Sequence, residues 1–496
     1  MAFSIKQLFK RPAKPATMPP QWPSPEANTR FQEYKKNKSI WSGDHEAIFS
    51  QYVPSTYPLW ITANIAKNIV TVPADFLFGE ELELTFDDDV DEEAKKKVQE
   101  IWDRNKMHML MYESALDTNT YGDGVFIPER DDEGLCRIRS RPVSTWVPTL
   151  DPDDNRVEIR HEFGWTKANN GKVFLRVVRH EEGFVHNELF LMQGQEVKRP
   201  ATDSEWRAIY GDDVPAPEIK TGVDELLVVH VPNFRGAEDY HGKSEFWGVE
   251  SLFAGIDARL TQSNRILTRH ADPILGLPVD LFRSEKGIQP GTRPYNPLSG
   301  SGIDKERLSV VQAGPNGEMP QYITWDGHIE DNLKLIDGYM QMLSIVTETA
   351  PQLLNRGEFG GDLSGRALKI LLVRTLAKVN RKRIYYTDAI KRVIDLAQQI
   401  EGMEPIEVGV KWADGLPQDM LEAIEIAERK LNAQIESQKG AIMEVDDVDE
   451  EAADKKIKEI EGEQEKEDER AKDMIVAKGG VGTSGRSPIN VNVGKE

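Results

Sequence analysis

The chain has 496 residues, 39% of them hydrophobic and 29% charged, with a net charge of −22 and a pI near 5.0. That length allows two to four structural units, and the acidic balance excludes a generally basic nucleic-acid clamp, so any contact with nucleic acid has to be local. The single cysteine, Cys136, excludes a disulfide framework and a cysteine-based zinc site and fits a reducing cytoplasm, and no apolar run approaches the roughly 20 residues that span a bilayer.

Residues 1–45 are Pro-rich and polar and read as an arm or a docking strand; the basic start lacks the apolar core of a secretory signal. From Tyr57 to Phe78 the positions Ile61, Ile65, Ile69 and Val72 recur at helical spacing, and Pro73 predicts a break or kink. A short strand is expected over Glu81–Phe86. The run Asp87-Asp88-Asp89-Val90-Asp91 lacks the glycine and glutamate of a calcium loop and is read as acidic capping of a helix from Glu93 to Asn105. Another helix follows over 107–121.

Between Gly124 and Val231 the period falls to two and turn signals recur, among them Asn170-Gly171, which predicts an antiparallel meander of about six to eight strands. Val249, Leu252, Phe253, Ile256, Leu260 and Leu267 mark one face of a helix over 249–270, ended by Pro273. Residues 274–327 are Gly/Pro-rich, with short strands expected at 274–277, 308–312 and 321–325. A helix over 328–347 carries Ile329, Leu333, Ile336, Met340 and Leu343 on one face. After a Gly-rich segment, a helix from 364 to about 401 shows a stripe of Leu368, Leu372, Leu376, Val379, Tyr386, Ile390 and Val393. It is roughly 55 Å long at 1.5 Å per residue. A strand over 406–412 precedes a helical, acidic region, and the Gly/Ser/Asn-rich tail 479–496 is expected to be disordered.

Motifs that carry chemistry fail on spacing. Gly242-Lys243-Ser244 resembles the end of a phosphate loop, but the required upstream glycine falls at Ala237. His180-Glu181-Glu182 and His186 place the two histidines six apart instead of four, and no G-x-S-x-G elbow occurs. No catalytic residue, cofactor site or metal site is assigned. The unusual feature is a basic stretch on the long helix, with Lys369, Arg374, Lys378, Arg381, Lys382 and Arg383 followed by Lys391 and Arg392. It reads either as a contact with a polyanion or a neighbouring subunit, or as a surface helix whose charges pair within the fold. The preceding segment, Asn355-Arg356-Gly357-Glu358-Phe359-Gly360-Gly361, combines glycines with a cation and an aromatic, and suits a loop that moves between fixed helices.

The element order resembles the portal proteins of tailed bacteriophages, in particular those of long non-contractile-tailed phages. Local sequence carries the resemblance at Asn64–Val70 with Asp75–Glu80, at Gly242–Phe246 before helix 249–270, and at Ser364–Lys369. It implies an α+β, portal-like fold: an N-terminal arm (1–54), a wing of helices and β-meander (55–248), stem helices (249–272 and 328–347), a small clip (273–327), a channel loop (348–363), a long wing helix and strand (364–412), a helical crown (413–478) and a tail (479–496). It also implies a non-enzymatic virion component, assembled in the host cytoplasm as a ring of about twelve copies at a capsid vertex. Double-stranded DNA would pass through the channel during packaging and ejection, with residues 355–361 facing it. Terminase, a head–tail adaptor, and capsid and scaffolding proteins are the implied partners, with no membrane. Another virion structural or adaptor protein, or a nucleic-acid-processing enzyme, are the competing readings.

Overall fold

A computed structural model describes residues 21–50, 59–271, 274–276, 321–323, 329–354, 365–413 and most of 427–462. Two compact units emerge: Met1–Gly361 with Ile370–Gly415, and Asp362–Lys369 with Leu416–Glu496.

The first unit is an α+β fold in which helices enclose antiparallel sheets. Pro25–Ser42 forms helix α1, not an arm or docking strand. Pro25 sits in the first turn, where its missing N–H costs nothing, Ser24 caps Ala27 N, and Gly43 closes the helix at φ 81°. Tyr34, Asn37 and Ile40 turn one face inward. The preceding residues do dock like a strand: Gln21 bridges Glu196, and Trp22 N donates to Gln195 O at 3.2 Å. A short helix α2 (Glu46–Phe49) leads towards α3 (Ala66–Phe78). This helix starts later than the periodicity predicts, because Ile61 N and Ala63 N are taken by side chains of Thr261 and Asp257. It also runs through Pro73, which is buried with Ile69, Val70, Leu77 and Phe78.

Strand β1 (Glu83–Thr85) precedes α4 (Glu92–Arg104) and α5 (Met107–Tyr121). Asp91 makes no side-chain cap at α4; the acidic residues Glu92 and Glu93 lie in its first turn instead. Strands β2 (Asp123–Arg130) and β3 (Cys136–Ser140) begin the β region, followed by β4 (Trp146–Leu150), β5 (Glu158–Asn169), β6 (Lys172–Glu181), β7 (Phe184–Gln193) and β8 (Glu196–Pro200). Helix α6 (Asp203–Tyr210), with a capping box on Thr202 and Glu205, leads to β9 (Glu218–Lys220) and β10 (Val229–Pro232). Strands β4 to β8 pair consecutively, β9 adds to β7, and β10-β2-β3 form a separate sheet. Asn170 and Gly171, both at positive φ, make the two-residue turn that sets Asn169 opposite Lys172.

Helix α7 (Glu250–Ala271), strands β11 (Ile274–Gly276) and β12 (Gln321–Ile323), and helix α8 (Ile329–Thr347) follow. The two strands pair antiparallel, and the expected strand at 308–312 lies outside the described residues. A single turn, α9 (Pro351–Leu354), precedes α10 (Gly365–Ile400), and β13 (Gly409–Lys411) pairs with β1. Tyr386, Ile390, Val393 and Ala397 of α10 pack in one core with Phe78, Ile101, Met111 and Phe126. A second core joins Ile40, Ile69, Phe246, Phe253 and Leu343. Within the second unit, helix α11 (Gln438–Asp446) carries Lys439, which bridges Glu450 and Asp454 at 2.5 and 2.9 Å.

The docked Trp22 occupies a slot that exists because residue 164 has no side chain. A Cβ there would lie 2.2 Å from the indole. Gly164→Ala is expected to cost about 1–3 kcal/mol by forcing the indole aside, and Trp22→Ala about 3–5 kcal/mol. In the double variant the glycine change should add almost nothing to the tryptophan change, read from urea unfolding midpoints. Additive costs would refute the contact.

Candidate functional site: buried carboxylate hubs at the root of a helix pair

Helices α7 and α8 pack along one another, and the chain entering α7 and the chain leaving α8 are both fixed by α10. The fixing element is a carboxylate. Glu245, five residues before α7, is fully enclosed. Its Oε2 accepts from Lys378 Nζ at 2.9 Å and its Oε1 from Lys382 Nζ at 2.6 Å. Lys378 Nζ also donates to Thr347 O at 2.7 Å and Thr349 Oγ1 at 3.2 Å. Lys382 Nζ donates to Asn119 Oδ1 at 2.7 Å and to Asn233 Oδ1, while Asn233 Nδ2 returns a bond to Glu245 Oε1 at 3.0 Å. One turn before Lys378, Thr375 Oγ1 donates to Glu348 O at 3.0 Å and accepts from Ala350 N at 2.9 Å. Glu348 itself is held at φ 53°, a left-handed conformation that a side-chain-bearing residue adopts only when its surroundings impose it.

Two ammonium groups thus share one carboxylate. Burial alone would raise the pKa of Glu245, but the two lysines override it and hold it at about 2. Lys382 is pushed down to about 8, mainly by burial and partly by the like charge of Lys378, against the pull of Glu245. The paired cations set the Glu245 shift, whereas burial leads the Lys382 shift and the second cation adds to it.

A second hub lies beside the first. Asp123, at the start of β2 and fully buried, accepts from Arg30 Nη2 (2.6 Å), Tyr34 Oη (2.7 Å), His230 Nε2 (2.8 Å), His241 Nδ1 (3.1 Å) and Gly242 N (2.7 Å). Burial would raise its pKa; the histidine hydrogen bonds win and hold it well below the usual carboxylate range. The Gly242-Lys243-Ser244 stretch is used here as a packing joint. A Cβ on Gly242 would lie 2.0 Å from Gly122 O, so only glycine lets the two backbones cross. A third carboxylate, Asp257 within α7, meets His45 Nδ1 at 2.5 Å and Ala63 N at 2.9 Å.

The basic stretch of α10 therefore divides. Lys378 and Lys382 are internal, buried by their own chain. Arg383 donates to Ala413 O at 2.6 Å and lies over the Trp412 ring, Arg381 pairs with Glu348, and Lys391 and Arg392 pair with Glu407 and with Glu225 and Asp395. Arg374 is exposed. The side chain of Lys369 and all of Asn355–Gly361 lie outside the described residues. Sequence reasoning missed Asn119, Asp123, His230, Asn233 and Glu245. One signal was present: the apolar stripe of α10 skips from Val379 to Tyr386, and the core-facing position between them is Lys382, which requires a buried anion elsewhere in the chain.

These hubs hold elements together, and donors of the chain itself occupy the carboxylate oxygens. Among the described residues no group of three metal-binding side chains occurs, and no helix is long and apolar enough to cross a membrane.

The family described as phage portal protein, SPP1 Gp6-like, matches residues 24–161 and 321–470, more than half of the sequence. The chain belongs to this portal family. The matched segments of the portal chain carry Arg30, Asn119, Asp123, Lys378 and Lys382, and Glu245 and His230 fall between them. No curated protein matches it. Among solved structures, the portal chain is similar to a chain from the virion of a native gene transfer agent particle (11% identity, 85% of this chain and 91% of that one, TM-score 0.41). It is also similar to a chain from the neck of an empty particle computed with C6 symmetry (11%, 82% and 94%, 0.45), and to one from the neck of a native particle computed with C12 symmetry (10%, 81% and 98%, 0.40).

Removing one member of a buried ion group strands the others. Glu245→Gln is expected to cost about 3–5 kcal/mol, and Lys382→Met distinctly less, because it removes the surplus charge. The folded-state pKa of Glu245 lies below its ordinary value of 4.5. Its contribution is therefore complete above about pH 4.5 and is lost as pH falls towards about 2. The stability gap between the parent chain and Glu245→Gln, measured by urea unfolding, should narrow over that window; a gap independent of pH would refute the pairing.

Proposed function

We propose that the protein is the subunit of a portal ring, a channel of about twelve copies at one capsid vertex through which double-stranded DNA enters and leaves. The observation that carries this reading is the anchoring of α10 on the root of the α7–α8 pair through Glu245, Lys378 and Lys382, in a chain of the portal family. The pair forms the stem (249–272 and 328–347), and residues 55–248 with 364–412 form the wing. Residues 273–327 form the clip, which meets terminase during packaging and a head–tail adaptor afterwards. Residues 413–478 form the crown inside a shell of capsid and scaffolding proteins. The protein has a structural role and no enzymatic one.

The loop that faces DNA is Asn355–Gly361, within the segment 348–363. The residues before it are pinned: Leu354 is buried, and Glu348 and Ala350 are bonded to Thr375. DNA has to slide, so the channel needs few cations. Neutralising many phosphates would add a strongly salt-dependent affinity and stall movement. A net charge of −22 per copy keeps such binding weak, with Arg356 as the local exception.

The purified chain is expected to assemble into a species near twelve times 56.1 kDa by light scattering, with a central hole in negative stain. Shortening 355–361 should leave ring assembly intact and block DNA packaging. Normal packaging by that variant would overturn the loop assignment, and a compact dimer with nuclease activity would overturn the whole reading.

A further inference from the structure

Two helix faces of the first unit hold large apolar side chains in water. On α8, Leu335, Met342, Ile345 and Val346 are 40–63% exposed, while Ile336, Met340 and Leu343 of the same helix face the second core. On α10, Ile370, Val373 and Ile384 are 59–69% exposed, opposite the buried side that carries Leu372, Lys378 and Val379. At 100° per residue each set forms one continuous stripe. The lengths agree: 335–346 and 370–384 span roughly 17 and 21 Å. Stripes of this size left in water mark an interaction surface.

The charges beside the stripes have opposite signs and the same spacing. Glu330 and Asp337 flank the α8 stripe seven residues apart, with Lys334 between them neutralised by Asp331; Arg374 and Arg381 flank the α10 stripe seven residues apart. Each spacing is two turns, roughly 10 Å. Among the described residues Glu330, Asp337 and Arg374 make no ion pair, and Arg381 has only the exposed pair with Glu348. Every copy carries both surfaces, and the two do not match themselves: acid would meet acid in a two-fold contact. The occupant that fits is a second copy in a head-to-tail contact.

We propose that the α8 stripe of one copy packs antiparallel on the Ile370–Val373 end of the α10 stripe of the next, with Glu330 facing Arg381 and Asp337 facing Arg374. This rests on the ring reading above and assigns residues to its contact.

The test uses full-length protein bearing Met342→Cys and Val373→Cys, joined by a flexible bis-maleimide of about 10 Å reach, with particle mass measured on the same sample. The native Cys136 is buried and gives little background. The double variant is expected to give a ladder of covalent oligomers, and each single variant none. Separately, Glu330→Arg with Asp337→Arg should weaken association about tenfold, and adding Arg374→Glu with Arg381→Glu should restore it. Rings that form without the ladder and ignore the charge changes would overturn this surface and leave the ring reading standing. A chain that stays monomeric at every concentration would overturn both. Covalent dimers from a single variant, or a link only within one chain, would overturn the head-to-tail contact.

Discussion

A carboxylate shared by two ammonium groups is the constraint on which the rest of this structure depends. Glu245 is enclosed at the point where chain from the β region becomes α7; its carboxylate is held from the loop after β10 and the middle of α10, and the two lysines that hold it reach on to α5 and the end of α8. Apolar packing alone would let helices slide by a fraction of a turn with little penalty. An enclosed ion group does not, because any shift that lengthens a contact leaves a charge without solvent or partner. Asp123 and Asp257 are likewise buried carboxylates held by donors of the chain, the first on Gly242 just before α7 and the second within α7 itself.

The location of these anions explains why the helix pair was legible and its attachment was not. Apolar periodicity marked α7, α8 and α10 within a residue or two, and Asn-Gly marked the β5–β6 turn, because both signals are local. Glu245 and Lys382 are 137 positions apart in sequence, and nothing local distinguishes a buried glutamate from the many acidic residues that face water. The gap in the α10 stripe between Val379 and Tyr386 shows that a charge turns inward; it does not say which anion receives it. The opposite error arose at α1, where four prolines within 19–25 and a polar composition suggested an extended arm. Pro25 is harmless in a first turn, and three inward residues, Tyr34, Asn37 and Ile40, suffice to bind the helix to the core.

The division of the basic stretch also separates two roles that composition merges. Lys378 and Lys382 serve the interior, Arg383, Lys391 and Arg392 serve neighbouring segments of the same chain, and Arg374 with Arg381 stand on the outer face. A helix of this length can therefore be rigid on one side and adhesive on the other. Its inner face sets the geometry of the subunit, and its outer face is free to serve assembly.

The spread of the Glu245 partners along the sequence has a consequence for synthesis. The carboxylate leaves the ribosome long before Thr347, Lys378 and Lys382 do, and until they arrive its burial is opposed by desolvation with no cation to offset it. The root of α7 cannot close on a partly made chain, although the sheets before it can form. The outer face of α10 is presented in its final geometry only after the inner face has captured Glu245, so under the proposed contact between copies the order of translation would keep incomplete chains from joining complete ones.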